Sequence, residues 1–227
     1  MINDFISLIF PKVCAACGKS LYKQEVNICA ACIYHLPKTN YHLQPNNPIA
    51  KIFWGRVKIH SGAALYGFNK GGKVQHLIHQ LKYKGYKEIG FTVGKLYGDE
   101  LKLCADFNTV EIVIPVPLHA KKKKKRGYNQ SDTFAQGLAQ SLNAKAKLNV
   151  LFRAFESESQ TKKSRYRRWQ NVASIFQLRD TIDLAGKHIL MVDDVITTGA
   201  TLEACAQTLL QIPNIKISIA TIAYAAN

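Results

Sequence analysis

The chain has 227 residues, of which 47% are hydrophobic and 20% are charged, so it is long and apolar enough for one medium-sized domain with a small appendage. Lysine and arginine number 31 against 15 acidic residues, and the net charge of +16 favours polyanionic partners: nucleic acid, anionic lipid or multiply phosphorylated ligands. No apolar stretch approaches the length of a membrane span, which argues against an integral membrane protein.

The N-terminal stretch, MINDFISLIFP, has no basic leader, and its apolar run is too short for a signal peptide. We therefore expect a cytoplasmic protein without a transmembrane segment. In that compartment the six cysteines are expected to be metal ligands or free thiols rather than disulfides.

Four of the cysteines form two pairs, Cys14 with Cys17 and Cys29 with Cys32, with eleven residues between the pairs. A C-x2-C knuckle presents two thiolates to one side, and two knuckles complete a tetrahedral zinc site. Gly18 suits the positive φ that such a turn needs. One alternative is a thioredoxin-like redox pair, which would require a βαβ pattern around it, and another is four unrelated core thiols. We predict a structural zinc site.

Residues 37–60 are rich in proline and asparagine, a composition typical of a linker. We predict a domain boundary near residue 60. It would separate a zinc-finger region with its linker, residues 1–60, from a main domain of residues 61–227.

Three elements are predicted at the start of the main domain. Ala63–Phe68 has the pattern of a strand, and Gly71–Lys84 is predicted to be a helix with its apolar residues on one face. Ile89–Leu103 is a second predicted helix, weakened by three glycines. The lysines beside Gly85 are an arrangement that favours a helix end, and we interpret them as structural.

A predicted strand at Val110–Val116 is followed by six consecutive basic residues, Lys121–Arg126, and by a predicted helix at Ser131–Ala144. Loops after the strands of a doubly wound sheet line the ligand crevice, so this basic loop is predicted to face a ligand. For the five lysines, the alternative is a solvated charge run. The turn that ends the run combines a glycine with amide donors that can reach a pyrophosphate; its residues are Arg126, Gly127, Tyr128, Asn129 and Gln130.

Residues 153–171 have no clean apolar periodicity and interleave arginines with aromatic residues. Single-stranded nucleic-acid binding uses this combination, because cations contact phosphates while aromatic rings stack on bases. Arg165, Arg168 and Trp169 are therefore predicted nucleic-acid contacts. The alternative is a basic surface loop that its aromatic side chains anchor to the domain.

The most informative stretch is His188–Thr201, HILMVDDVITTGAT. Its apolar run, Ile189–Val192, is typical of a strand buried on both faces of a parallel sheet, and a helix is predicted from about Ala200. Between them, a turn of small hydroxylated residues at a helix N-terminus can cradle a phosphate. The carboxylates of Asp193 and Asp194 would repel that phosphate and suit the hydroxyls of a sugar instead. The alternative is a solvated acidic turn followed by a helix cap, which fits the whole ordered string less well.

This string resembles the fingerprint of type I phosphoribosyltransferases, which bind 5-phosphoribosyl-1-pyrophosphate (PRPP). The resemblance implies that the two carboxylates hold the ribose hydroxyls and that the following loop holds the 5'-phosphate. It also implies that magnesium is carried by oxygens of the ligand. The implied PRPP-binding residues are Asp193, Asp194, Thr197, Thr198, Gly199, Ala200 and Thr201.

Further motifs are similar to the ComF-type competence proteins, also called amidophosphoribosyltransferase-like or double-zinc-ribbon proteins. Besides the cysteine pairs, Ile114–His119 followed by Arg126–Ser131 matches the pyrophosphate-loop region. The mobile-loop region is matched by Gln160–Arg168 together with Asn171, Val172 and Phe176. The chain departs from that family at Lys163, where leucine is usual, and in its dense lysine run. The resemblance implies an α/β protein: a zinc ribbon, then a type I phosphoribosyltransferase-like domain with a mostly parallel sheet flanked by helices.

The ComF resemblance implies a role in the import of single-stranded DNA during natural transformation, alongside a DNA-uptake helicase or a membrane channel. In this hypothesis the main domain binds PRPP and the basic residues bind single-stranded DNA. The alternative is an active phosphoribosyltransferase that uses PRPP and magnesium with an unknown base or amine acceptor. Its catalytic candidates are Arg126, Lys163 and Arg165, which would neutralise the leaving pyrophosphate. A third hypothesis is a PRPP-sensing regulator whose 153–171 loop is ordered by the ligand.

Overall fold

A parallel β-sheet forms the centre of the computed structural model, which describes residues 11–83, 86–153 and 175–226. The strands of these residues are β1 (Ser61–Gly67), β2 (Ile112–Pro115), β3 (Lys145–Ala146), β4 (Leu151–Arg153), β5 (Phe176–Leu178), β6 (His188–Ile196) and β7 (Lys216–Tyr224). The sheet order is β1-β7-β6-β2-β3 with every pair parallel, and β4 pairs with β5 in an antiparallel ladder. The predicted α/β class with a mostly parallel sheet is confirmed.

Helices lie on both faces of this sheet. In the described residues they are α1 (Ala30–His35), α2 (Pro48–Ile52), α3 (Lys73–Tyr83), α4 (Lys87–Leu101), α5 (Ala120–Arg126), α6 (Gln130–Leu142) and α7 (Ala200–Leu209). The predicted helices near residues 71–84, 89–103 and 131–144 correspond to α3, α4 and α6, with ends within about two residues of the predicted ones.

The central strand β6 separates two hydrophobic cores, because successive side chains of a strand point to opposite faces. Leu190 and Val192 pack in the cluster that includes residues of α3, α4 and α6. Ile189 and Met191 pack in the cluster that includes residues of α2 and α7. All four side chains are 0% exposed, and burial on both faces explains why the apolar run is continuous rather than alternating.

Helices α4 and α6 approach each other closely because glycines lie at their contact. A Cβ at Gly94 would be 2.4 Å from the carbonyl oxygen of Phe134, and one at Gly137 would be 2.2 Å from that of Phe91. Glycine lowers helix propensity by about 1 kcal/mol relative to alanine, yet α4 is continuous over 15 residues. Close packing between α4 and α6 therefore offsets the low helix propensity of these glycines.

The cysteine-containing segment shares the core of the α3–α4 face. Ile28 and Leu36 belong to the same cluster as the apolar residues of α3 and α4 and are 1% and 3% exposed. The amide of Asn27 donates to the hydroxyl of Thr92 in α4 at 2.9 Å. The segment and the main domain thus pack together, and a boundary near residue 60 stays a prediction.

Residues 37–60, whose composition predicts a linker, fold against the sheet. Helix α2 lies within them, and Ile49 and Phe53 are 0% and 1% exposed. Asn47 caps α2 by accepting from the N–H of Ile49 at 2.9 Å, while its own amide donates to the carbonyl of Gly62 in β1 at 2.8 Å. Proline and asparagine here mark a helix start rather than an extended connection.

The basic run, predicted to be a loop, forms helix α5, so this prediction is wrong. His119 caps the start of α5 by accepting from the N–H of Lys121 at 3.2 Å, and Gly127, with φ 78°, ends it. Lysine and arginine have high helix propensity, which outweighs their mutual repulsion once both ends are capped.

Candidate functional site

Asp193 lies within β6, opposite Thr221 of β7, although the sequence places it after the strand. Its Oδ1 accepts hydrogen bonds from the hydroxyl of Ser131 at 3.0 Å and from the N–H of Asp194 at 2.8 Å. Burial and the neighbouring charge of Asp194 raise the pKa of Asp193 to about 7, although both hydrogen bonds favour the charged form. The two carboxylates therefore form a crowded pair that Ser131 of α6 helps to orient.

Lys82, in the last turn of α3, provides the counter-ion of this acidic pair. Its ammonium lies 3.0 Å from Oδ2 of Asp194, and the two side chains are 22% and 13% exposed. The sequence predicts only a favourable helix end for this lysine. Its position beside Asp194 depends on tertiary packing of α3 against the end of β6, for which the local sequence carries no signal.

The turn between β6 and α7 holds the hydroxylated residues at a helix N-terminus, as the sequence predicts. Thr197, Thr198 and Thr201 are exposed, so their hydroxyls are open to a ligand. Gly199, with φ 74°, is buried, and a Cβ at that position would lie 2.5 Å from Cγ2 of Ile52. Only glycine combines this backbone conformation with this close approach. Because α7 begins directly after this turn, its N-terminus lies at the carboxyl end of β6, where an anion is stabilised.

Arg56 contacts both this turn and the first turn of α7. Its guanidinium donates to the carbonyl of Thr198 at 3.0 Å and forms an ion pair with Glu203 in the first turn of α7. The same Nη1 donates to the carbonyl of Ile52 at 3.1 Å. Because Glu203 would repel a phosphate at the helix N-terminus, its neutralisation by Arg56 favours an anion there. The sequence gives no sign of this role, since Arg56 belongs to the stretch of linker composition.

The five residues of the predicted pyrophosphate turn separate into two groups. Gly127 is exposed, with nothing within 4 Å of where a Cβ would stand, and Arg126 is half-buried, so these two are partly accessible to a ligand. The side chains of the other three point into the protein. Tyr128 donates to the carbonyl of Leu81, Asn129 donates to the carbonyl of Val116 at 3.0 Å, and Gln130 accepts from Arg126 at 2.9 Å.

These three residues are at most 8% exposed, so their side chains hold the turn rather than reach a ligand. Among the described residues, Nε2 of Gln130 is buried without a hydrogen-bond partner. The guanidinium of Arg126 lies 5.1 Å from the ring centre of Tyr83, the residue after Lys82. The predicted turn and the acidic pair are therefore neighbours, connected through the end of α3.

The four cysteines of the two C-x2-C pairs come together in a cluster. Their sulfur atoms all lie within 4.8 Å of one another, and those of Cys17 and Cys29 are 3.8 Å apart. A tetrahedral zinc ion with Zn–S bonds of about 2.3 Å requires S···S separations of about 3.8 Å, so the cluster could hold such an ion. Gly18 has φ 74°, as the knuckle requires.

The thiols of the cluster differ in acidity, because the pKa of Cys14 is lowered whereas the pKa values of Cys29 and Cys32 are raised. Burial, the largest influence, raises the pKa of Cys14, but N–H groups of Cys29, Cys17 and Ala16 outweigh it and lower the pKa to about 7. Burial raises the pKa of Cys29, which a bound cation would counteract. His35, just beyond the last cysteine, is exposed and is not a member of the cluster.

Comparisons with known proteins show which families the chain resembles. Residues 129–227 match the phosphoribosyl transferase domain family. DNA utilization protein YhgH of Escherichia coli O6:H1 is 28% identical over 203 residues, 88% of this chain and 84% of that protein. Competence protein F of Haemophilus influenzae is 31% identical over 137 residues, 59% and 60% of the two chains. Competence protein ComFC of Bacillus subtilis is 25% identical over 213 residues, 88% and 78% of the two chains. These relatives and the phosphoribosyl transferase match together support a ComF-type protein with a type I phosphoribosyltransferase fold.

The region that matches the phosphoribosyl transferase domain family contains the acidic pair, the β6–α7 turn and Ser131. The cysteine cluster, Arg56 and Lys82 lie outside it. The remaining predicted ligand contacts lie outside the described residues: Lys163, Arg165, Arg168 and Trp169. In the part of the chain that the structure describes, none of the helices has the length and apolar character needed to cross a bilayer.

Proposed function

We propose that the end of β6 and the turn after it bind PRPP. Asp193 and Asp194 would accept hydrogen bonds from the ribose hydroxyls. The hydroxyls of Thr197, Thr198 and Thr201 and the N–H groups around Gly199 and Ala200 would hold the 5'-phosphate. The observation that carries this proposal is the position of a crowded carboxylate pair three residues before an exposed, positive-φ turn at a helix N-terminus.

The electrostatics of the pair supports a neutral, hydroxyl-rich ligand group. Mutual repulsion and burial make the doubly charged pair unfavourable, which is why the pKa of Asp193 is raised to about 7. A ribose diol offers two O–H donors without adding charge, so it stabilises the carboxylates where a second anion would not. The 5'-phosphate, by contrast, would meet the N-terminus of α7 and Arg56, which neutralises Glu203.

Magnesium would enter this site with the ligand. It is a hard cation that keeps several oxygen ligands and is usually held by one or two carboxylates together with phosphates. Asp193 and Asp194 are the protein carboxylates that could contact it. When bound, it would neutralise charge on the pyrophosphate, and Arg126 at the edge of the site would assist in this.

Zinc would have a separate, structural role. The four cysteines are remote in sequence from the acidic pair, and their segment packs on α3 and α4. Each of these two helices begins or ends near Lys82, so a zinc ion would stabilise the platform that positions the counter-ion of Asp194.

We infer that the protein handles single-stranded DNA in the cytoplasm during natural transformation. Its protein partner would be a DNA-uptake helicase or a membrane channel. The relatives are named as competence and DNA utilization proteins. The net charge of +16 supports binding to the phosphate backbone, which should weaken steeply as salt concentration rises.

Calorimetric titration of PRPP with magnesium at pH 8 tests the pocket. We expect Asp193→Asn and Asp194→Asn each to weaken PRPP binding by at least about tenfold, because each removes a charged acceptor for a ribose hydroxyl. Asp183→Asn, the same chemical change at an exposed position, is the matched control and should bind like the wild type. Equal affinities for all four proteins would refute the proposed pocket.

The family match favours a second candidate function, transfer of the phosphoribosyl group from PRPP to a base or amine. Pyrophosphate release from PRPP and magnesium, measured with a panel of nucleobases and amines, distinguishes the two. Release that depends on one acceptor and disappears in Asp193→Asn would establish an enzyme. PRPP binding without release across the panel would favour a binding module.

A further inference from the structure

Helix α5 concentrates positive charge on one exposed element. Its sequence, AKKKKKR, contains six consecutive cations and no acid, and all five lysines are exposed. Among the described residues, Lys122, Lys123, Lys124 and Lys125 form no ion pair with a carboxylate. Cations four residues apart on a helix repel each other, so a polyanion lying along α5 would relieve the repulsion among these lysines.

This helix is fixed in place at both ends, so its charges have defined positions. His119 caps its N-terminus, and the N–H of Gly127 donates to the carbonyl of Lys123 at 2.8 Å at its C-terminus. Arg126 donates to Gln130, which is 1% exposed, at 2.9 Å. A solvated charge run requires no such anchoring.

The ring of Tyr83 lies beside the C-terminal end of α5, and Tyr86 follows along the chain at the start of α4. Tyr83 and Tyr86 are 57% and 52% exposed, so their rings are accessible to a ligand. The guanidinium of Arg126 lies 5.1 Å from the ring centre of Tyr83. The ring centre of His79, four residues earlier in α3, lies 4.9 Å from that of Tyr83. Planar groups are thus clustered where the basic helix ends.

We propose that single-stranded nucleic acid binds to this lysine–tyrosine surface, formed by Tyr83, Tyr86 and residues 122–126. The lysines would contact successive phosphates, and the tyrosine rings would stack on bases. Stacking needs unpaired bases, so a single strand should bind better than a duplex. The inference rests on the nucleic-acid binding proposed above and gives it a location.

The surface adjoins the proposed PRPP pocket. Tyr83 follows Lys82, whose ammonium pairs with Asp194, and Arg126 contacts Gln130, the neighbour of Ser131, which donates to Asp193. A strand lying along α5 and over Tyr83 would therefore pass beside the acidic pair.

Fluorescence anisotropy with a labelled single-stranded oligothymidine tests this inference on the full chain. The triple variant Lys122→Gln, Lys124→Gln, Lys125→Gln keeps helix propensity and removes three charges. We expect at least about tenfold weaker binding at low salt and a slope of log affinity against log salt that is smaller by about 2, since each phosphate contact contributes about 0.7 for a single strand. Tyr83→Leu should weaken binding by about tenfold without changing that slope.

The matched control is Lys58→Gln, Lys70→Gln, Lys73→Gln, three exposed lysines elsewhere on the surface. It changes the net charge equally and should bind within about twofold of the wild type. Equal losses in both triple variants, or no loss in the α5 variant, would refute the lysine–tyrosine surface while leaving nucleic-acid binding intact. Absence of binding by the wild type would refute both proposals, and preference for phosphatidylglycerol vesicles over the oligonucleotide would identify lipid as the partner instead.

Discussion

The ammonium of Lys82 lies 3.0 Å from Oδ2 of Asp194 and joins the last turn of α3 to the end of β6. Asp194 is next to Asp193, whose pKa is raised by burial and by the charge of Asp194 and is lowered by Lys82. One lysine therefore offsets the repulsion within a pair of carboxylates that the proposed ligand needs in its charged form. The free energy of that compensation can be measured.

Lys82→Met removes the charge and keeps most of the side-chain volume. Asp194 would then lose its counter-ion while remaining largely shielded from water. We expect the free energy of unfolding at pH 8 to fall by about 1–3 kcal/mol, measured by urea denaturation. The loss should shrink toward pH 4, where Asp193 is protonated in both proteins and the acidic pair carries less negative charge.

The control for this variant is Lys73→Met, at the first residue of the same helix. Lys73 is exposed, and its replacement should change the free energy of unfolding by no more than about 0.5 kcal/mol. Equal losses at both positions would mean that Lys82 acts through helix stability rather than through Asp194.

The raised pKa of Asp193 makes stability depend on pH in a predictable direction. The pKa is about 7 in the folded protein against about 4 in the unfolded chain, so between these values the folded state binds the extra proton. Stability contributed by this residue therefore falls as the pH rises through that window. We expect Asp193→Asn to match the wild type near pH 4 and to be more stable by at least about 1 kcal/mol at pH 8.

The informative quantity is the difference in the free energy of unfolding between the wild type and Asp193→Asn at each pH. Burial lowers the pKa of His188 to about 4, which makes stability fall as the pH decreases through a similar window. This contribution is present in both proteins and cancels in the comparison. A difference that is independent of pH would contradict the raised pKa of Asp193.

Removal of zinc should affect the whole described core and not a separate finger. We expect about one zinc ion per chain by elemental analysis, lost in Cys17→Ser and retained in Cys104→Ser, because Cys104 is not part of the cluster. The zinc-free protein should melt in a single transition at least about 5 °C lower, since the cysteine segment shares a core with α3 and α4. A separate early transition would indicate instead that the segment folds independently.

The predictable part of the candidate site is the part that is contiguous in sequence. The order of strand, acidic pair, turn and helix in residues 188–201 follows from an apolar run, a glycine and a helix pattern, all read within one window. The cysteine cluster is predictable for the same reason, because its spacing is local. Even so, β6 extends beyond the apolar run, since pairing with β7 continues past Val192 to Ile196.

The other part of the site depends on contacts between distant segments. Lys82, Ser131 and Arg56 reach the acidic pair and its turn from three separate helices or connections. Nothing in the sequence near each residue indicates those partners. Conversely, the amide groups of Asn129 and Gln130 suit a ligand by residue type, yet the start of α6 turns them inward.

The turn after β6 can be tested through two glycines with the same backbone conformation. Gly199 and Gly127 have φ of 74° and 78°, so alanine at either position costs about 1–2 kcal/mol from conformation alone. At Gly127 a Cβ would meet nothing within 4 Å, whereas at Gly199 it would lie 2.5 Å from Ile52. We expect Gly199→Ala to lower the free energy of unfolding by about 2–4 kcal/mol and to weaken PRPP binding, because the turn must move away from α2.

Gly127→Ala should show only the conformational cost. Equal losses of stability in the two variants, with PRPP affinity unchanged in Gly199→Ala, would mean that the close approach to Ile52 does not shape the turn.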